Sequence, residues 1–400
     1  MECAHALRSY PRRARQKEAT CGQFTPFSLR LVGSSRIAAA VPPVLEMVKL
    51  PLLDIRAFRR DPYAFAETLR HACHHIGFFQ LRHGVPTELV RETKAVAREF
   101  FALPEESKRQ IDYSRSAQFR GYMSNGVENT AGKPDLREQV EIAPEEPASP
   151  AKAMPPHRRL RGPNQWPAEL PTMRPAVEEY AAAMGGVGEE LTEALCLALG
   201  WERTALRNLF KPEAHWQLKL AQYSPASVGA DGATSEGGER EPEIGVGAHT
   251  DSGWLTLLLQ DNSGGLQAFA RGAWRDVPPL GDDVVVCNLG EVAELLSGGY
   301  LLATPHRVLL PKAQRLSVPY FYNPQLDAEV RSLPLPPHLP WEREDDYDEK
   351  SHWRREGNAM IASYGLNAFK SLARSHPAVF ARHHPDLQVT SDGQVEPRVA

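Results

Sequence analysis

The sequence of 400 residues predicts a mainly β fold with flanking helices. Three observations carry that expectation. His249 and Asp251 in H-T-D, and Arg315 and Ser317 in R-L-S-V, are each two positions apart, so on extended backbone each pair leaves one face of its strand. The apolar runs between them are short and punctuated by Gly264-Gly265, Gly281-Asp282 and Gly298-Gly299. Helical periodicity is confined to the chain on either side. Both polar pairs can therefore point into one barrel interior.

The elements follow in chain order. Residues 1–46 set seven Arg and Lys among Ser, Thr and Ala, against three Glu. Such a leader suits an organellar transit peptide, a disordered extension, or an over-long reading of a chain whose true start is Met47. Apolar residues then recur at helical spacing over Asp61–Gly77 and over Glu88–Phe101. Lys152–Pro171 is Pro-rich and basic, which predicts a loop. Thr172–Leu199 carries Val177, Tyr180, Met184, Leu191, Leu195 and Leu199, an amphipathic stripe suited to a helix lying against the barrel. Gly229–Glu241 predicts a mobile insert before H-T-D, and strands are expected at Leu255–Leu259, Val284–Val286 and Arg307–Leu310. Arg331–Glu349, with four prolines and an acidic run, predicts an excursion or lid, and a last helix is expected over Asn358–Phe380. The expected organisation is a leader (1–46), an N-terminal region (47–165), a core with its preceding long helix (172–325) and a C-terminal extension (326–400).

The chemistry is concentrated in His249, Asp251 and, after 54 intervening residues, His306 in T-P-H-R. Two imidazoles and a carboxylate on one face of a metal leave the opposite face open, as non-heme Fe(II) requires to bind a co-substrate and O2 together. Arg315 supplies a fork that holds a carboxylate bidentately. A lone H-x-D is commonly two polar residues at a strand end; the ordered set points to a metal and an acid co-substrate in one pocket. The same two histidines and aspartate suit Zn(II) with a bound water for hydrolysis, a reading that leaves Arg315 and Ser317 without a role.

G-A-H-T-D-S-G-W-L-T-L-L-L-Q-D-N-S-G-G-L-Q-A-F, G-A-W-R-D-V-P-P, N-L-G-E, T-P-H-R-V and R-L-S-V-P-Y-F-Y-N-P together resemble the isopenicillin N synthase-like branch of the Fe(II)/2-oxoglutarate-dependent dioxygenases, densely from Trp216 to Pro324. L-P-L-L-D-I near Leu50, H-I-G-F-F-Q-L-R-H-G-V-P from His75 and F-F-A-L-P-E-E-S-K from Phe100 resemble its N-terminal region, so about 275 of the 400 residues are covered. The resemblance implies a double-stranded β-helix, or jelly-roll, core. It implies His249, Asp251 and His306 as iron ligands and Arg315 with Ser317 on the distal carboxylate of 2-oxoglutarate. Tyr223 in L-A-Q-Y-S-P falls where a co-substrate tyrosine is frequent, and Ala221 where plant-type members often carry Asn. It implies O2-dependent hydroxylation, desaturation or cyclisation of a small organic molecule, with succinate and CO2 released and ascorbate as a stimulant. Some relatives dispense with 2-oxoglutarate while keeping the R-x-S pair, so an Fe(II) oxidase independent of it stays open, as does a catalytically silent binding protein.

Composition agrees with an ordinary enzyme. A net charge of −4 gives no electrostatic footprint for nucleic acid, and no apolar run reaches the roughly 18 residues of a membrane helix. Five scattered cysteines without C-x-x-C spacing fit a reducing compartment. The expectation is a monomer acting on a small molecule, without nucleic-acid or membrane partners. It is cytoplasmic unless residues 1–46 direct organellar import. Of the remaining candidates, His74-His75 and His383-His384 are expected as solvated or helix-end histidines. Arg120, Gly121 and Tyr122 either approach substrate or form a turn with a packed tyrosine. Arg137 and Glu141 either line the pocket or form a surface i,i+4 pair, the second being the expectation, and Trp254 and Phe321 are expected as core.

Overall fold

The computed structural model describes residues 50–130, 133–225, 243–341, 360–391 and 393–398. The leader 1–46, the insert Gly229–Glu241 and the part of the Arg331–Glu349 excursion beyond Trp341 lie outside the described residues.

The chain enters through strand β1 (Leu52–Asp54) and helices α1 (Ile55–Arg60) and α2 (Pro62–His75). Asp54 and Asp61 start these helices by accepting from the backbone N–H of Arg56 and Ala64, and Pro62 occupies a first-turn position where no N–H is needed. Next come β2 (Phe78–Arg82), α3 (Thr87–Ala102), α4 (Glu105–Lys108), β3 (Gly121–Met123), β4 (Asn129–Thr130), β5 (Lys133–Pro134) and β6 (Glu138–Ile142). Lys152–Pro171 is a loop apart from one 3-10 turn at Pro156–Leu160. Helices α5 (Met173–Ala198) and α6 (Arg207–Phe210) then lead into β7 (His215–Tyr223), β8 (Ile244–His249), β9 (Leu255–Gln260), β10 (Leu266–Ala270), β11 (Ala273–Asp276) and β12 (Val284–Leu289). After α7 (Glu291–Leu296), β13 (His306–Leu309) and β14 (Arg315–Asn323) complete the core.

Two sheets form the jelly-roll. The larger runs β1-β2-β12-β9-β14-β7-β6-β3 and the smaller β11-β10-β13-β8. The N-terminal residues form no layer of their own, because β1 and β2 extend the large sheet beyond β12 while β6 and β3 extend it beyond β7. Strand β14 shows how the sequence builds two sides at once. Leu316, Val318, Tyr320 and Tyr322 pack in the main core with α5, whereas Arg315, Ser317, Pro319 and Phe321 face the interior cavity. The α5 stripe of Val177, Tyr180, Met184, Leu191 and Leu195 is buried against the outer face of that sheet. Gly188 allows the close approach, since a Cβ there would meet the Tyr322 ring at 2.6 Å. No helix among the described residues is long and apolar enough to cross a membrane.

The C-terminal helix differs from expectation. It divides into α8 (Tyr364–Ser375), capped by Ser363 on Leu366 N, and α9 (Pro377–His383), before a hairpin of β15 (Leu387–Val389) and β16 (Val395–Pro397). Pro377 has no N–H to continue α8 and starts α9 instead.

Candidate metal and co-substrate site

His249 ends β8 and His306 begins β13, and the two are register partners across that ladder with ring centroids 4.3 Å apart. Asp251 is not on the strand, as two-residue periodicity predicted, because β8 stops at His249 and Asp251 occupies the following turn. That turn is pinned by α7, whose first N–H groups have no partner within the helix. Gly290, Glu291 and Val292 donate to the carbonyls of Trp254, Asp251 and Gly253 at 2.8–3.1 Å. Gly290 is required there, for a Cβ would stand 2.2 Å from Gly253 O.

The polar atoms of the triad are sorted. Asp251 Oδ2 accepts from Thr256 Oγ1 at 2.5 Å and Asn288 Nδ2 at 2.6 Å. Its Oδ1 is left 3.9 Å from His249 Nε2 and 3.7 Å from His306 Nε2. His249 Nδ1 lies 2.8 Å from Gly247 O and His306 Nδ1 lies 3.1 Å from Thr304 O. A carbonyl only accepts, so each Nδ1 carries the proton and each Nε2 presents its lone pair. Burial, then the neighbouring His306, lowers the His249 pKa to about 4, which keeps the ring neutral. Burial alone would raise Asp251, but its pKa is lowered overall, with Thr256 and Asn288 donating to the carboxylate. Two neutral imidazoles and one carboxylate, each fixed from behind, fit a divalent first-row metal.

Deeper in the barrel, Arg315 is 1% exposed, and its Nη2 donates to Gln260 Oε1 at 3.2 Å. Its Nε and Nη1 have no partner among the described residues. A buried guanidinium with two unused donors fits a carboxylate. Ser317 shares its face, opposite Ala221 in register, where no amide is available. Tyr223 stands opposite Arg315 in register, its ring 4.7 Å from the guanidinium.

The cavity that joins these groups has a volume of about 660 Å³. Its outer wall contains Arg137, which was expected at the surface. Arg137 directly precedes β6, donates to Tyr223 Oη at 3.1 Å and to Glu128 at 2.6 Å, and pairs with Asp135 at 3.3 Å. Glu141 is buried and takes Lys219 at 2.7 Å rather than pairing with Arg137. The readable signal was Q-V-E-I, whose alternation is that of a strand. Lys219 also bonds Glu128 at 2.7 Å, so this acidic cluster already holds a cation. Asn367, Lys370, Ser371 and Arg374 form the α8 wall, and Glu291, pushed up to about 7 by burial, accepts from Thr250 nearby.

Phe321 lies on the cavity wall rather than in the core, whereas Trp254 is core as expected. Arg120 and Tyr122 are structural. The first donates to the carbonyls of Pro144 and Leu160, and the hydroxyl of the second lies 2.9 Å from the carboxylates of both Glu105 and Glu138. His74 stacks on Tyr300 at 4.0 Å, and His383 and His384 lie 2.8 and 2.9 Å from the carbonyls of Ser114 and Ala117. None of these histidines approaches the triad.

Residues 50–169 match the family described as non-haem dioxygenase in morphine synthesis N-terminal, and residues 220–324 the 2OG-Fe(II) oxygenase superfamily. The 2-oxoglutarate-dependent dioxygenase frbJ of Dothideomycetidae sp. is 33% identical over 296 residues, covering 72% of this chain and 77% of the relative. Homoarginine-6-hydroxylase 2-ODD-C23 of Glycine max is 34% identical over 275 residues, covering 66% and 79%. The crystal structure of JOX2 in complex with 2OG, Fe and JA superposes with a TM-score of 0.57 at 25% identity, covering 71% of this chain and 77% of that one.

Proposed function

The chain belongs to the 2OG-Fe(II) oxygenase superfamily, and from that premise we propose which of its residues run the reaction. It is an Fe(II)- and 2-oxoglutarate-dependent dioxygenase that oxidises a small molecule. That membership selects oxidation over zinc-dependent hydrolysis. Bound iron supplies O2 activation coupled to oxidative decarboxylation of 2-oxoglutarate to succinate and CO2.

His249, Asp251 and His306 hold the iron, since their Nε2 and Oδ1 atoms converge while every other ring or carboxylate atom is engaged by the protein. Arg315 and Ser317 bind the distal carboxylate of 2-oxoglutarate, and Tyr223 assists from the facing strand. The observation that carries this assignment is the pair of unused donors on buried Arg315. Val246, Leu258, Leu266, Val308 and Pro319 line the cavity between these groups and exclude water from them.

Beyond the co-substrate the cavity is walled by Glu128, Arg137, Lys219, Lys370 and Arg374, charges of both signs. Glu128, Arg137 and Lys219 are paired with one another, which makes the wall polar, and an amino-acid substrate undergoing hydroxylation is the reading we adopt. The hydroxylase named for homoarginine in Glycine max supports it. The test incubates purified protein with Fe(II), ascorbate and 2-oxoglutarate against homoarginine, arginine, lysine and a set of neutral phenols. Succinate above the uncoupled background with the zwitterions is expected; stimulation by the phenols alone would overturn the substrate class.

A further inference from the structure

We propose that Arg137 is a positioning residue for the co-substrate, fixing the Tyr223 hydroxyl so that its proton is presented to 2-oxoglutarate. The proposal rests on the reading above that Tyr223 faces that co-substrate.

The argument is one of donors and acceptors. Strands β6 and β7 are antiparallel with Glu138 opposite Gln222, which brings the preceding Arg137 beside Tyr223. Arg137 Nη1 lies 3.1 Å from Tyr223 Oη. A guanidinium has only donors, so the tyrosine oxygen must accept in this bond and its proton must point elsewhere. Arg315, 4.7 Å over its ring, also offers only donors, and the Asp135 carboxylate that acts on Tyr223 is engaged by Arg137 and Thr130 and takes no hydrogen bond from it among the described residues. Tyr223 is 1% exposed, and among the described residues its one hydrogen bond is the one it accepts from Arg137. The acceptor that suits its proton is an oxygen of the bound co-substrate.

Arg137 is not free to leave this post. Its Nη2 is held by Glu128 at 2.6 Å and by Asp135 at 3.3 Å, and Glu128 is in turn fixed by Lys219 at 2.7 Å. The hydroxyl is therefore oriented before the co-substrate arrives, which removes part of the ordering cost of binding.

The test is calorimetric titration of 2-oxoglutarate into the Mn(II)-loaded full chain, with Tyr223→Phe, Arg137→Gln, Arg137→Lys and the double variant Arg137→Gln/Tyr223→Phe. Each of Tyr223→Phe and Arg137→Gln should weaken binding by about five- to tenfold, the worth of one hydrogen bond. The double variant should be no weaker than Tyr223→Phe alone, because Arg137 acts through that hydroxyl. A merely structural arginine would give additive losses or a lowered Tm with unchanged affinity, and either result overturns the proposal. Where Arg137→Gln fails to fold, Arg137→Lys keeps a donor and should bind between wild type and Tyr223→Phe; a folded Arg137→Lys that binds more weakly than Tyr223→Phe would equally overturn it. A wild type that does not bind 2-oxoglutarate would instead bring down the co-substrate reading itself.

Discussion

Asn288 Nδ2 stands 2.6 Å from Asp251 Oδ2, so the carboxylate of the H-T-D turn is aimed by a residue of β12 in the opposite sheet. Removing that donor leaves Thr256 alone to hold Oδ2 and frees the carboxylate to rotate. Asn288→Ala should weaken metal binding by about 10- to 100-fold with the fold intact. Titration with Mn(II) checks this, and an unchanged affinity would show that Thr256 alone orients Asp251.

His306→Ala removes a proposed iron ligand that lines the cavity. Turnover should be abolished while Tm stays within a few degrees of wild type. Activity at the wild-type level would remove His306 from the triad.

Arg315→Leu leaves a carboxylate facing an apolar wall. Losing a charged bidentate partner costs about 2–5 kcal/mol, so the apparent affinity for 2-oxoglutarate should fall by roughly thirtyfold or more. An unchanged 2-oxoglutarate requirement would place the co-substrate elsewhere.

His215, at the start of β7, is buried with Nε2 unpartnered among the described residues. Burial, then the charges of Arg120 and Arg161, lowers its pKa to about 3. Between its unfolded pKa near 6.5 and this folded value the unfolded chain binds a proton that the native one refuses, so stability falls as pH drops, by about 1.4 kcal/mol per pH unit for one such group. Replacing it in His215→Phe should flatten the decline between about pH 6.5 and 3. Denaturant melts across that window check it, and parallel profiles for the two proteins would show that His215 is protonated in the native state.

The leader gives a prediction from sequence alone. Residues 1–46 lack apolar periodicity, and the family match begins at residue 50. A chain starting at Met47 should fold and turn over as the full one does. A Tm several degrees lower would show that the leader packs on the barrel.

The parts of the site that sit on regular strands were legible in the sequence. Arg315 and Ser317 share a face of β14 because strand periodicity is local and strict. Asp251 was placed on the wrong element. What puts it beside the histidines is a turn held by α7 and Asn288, which no local spacing encodes. Arg137 was weighed as pocket lining but assigned to the surface for a different reason: positions i and i+4 share a face on a helix and on a strand alike, so the spacing to Glu141 fits a surface helix pair and a barrel wall equally well. Phe321 was misassigned because an aromatic on a strand between apolar neighbours carries no mark of which sheet face is the cavity. The break at Pro377 was legible and was read past.

The continuous large sheet, with β6 bonded to β7 and β2 bonded to β12, limits how this enzyme can be recombined with its relatives. Residues 50–169 and 220–324 match two separate family descriptions. Exchanging the first block for a relative's nonetheless changes two ladder interfaces, and it replaces Glu128 and Arg137 on the cavity wall at the same stroke. A hybrid that keeps both strand registers would inherit its donor's residues at 128 and 137 together with this chain's α8 wall and proposed iron ligands. The tolerance of such an exchange is set by backbone pairing along these two ladders rather than by the pocket.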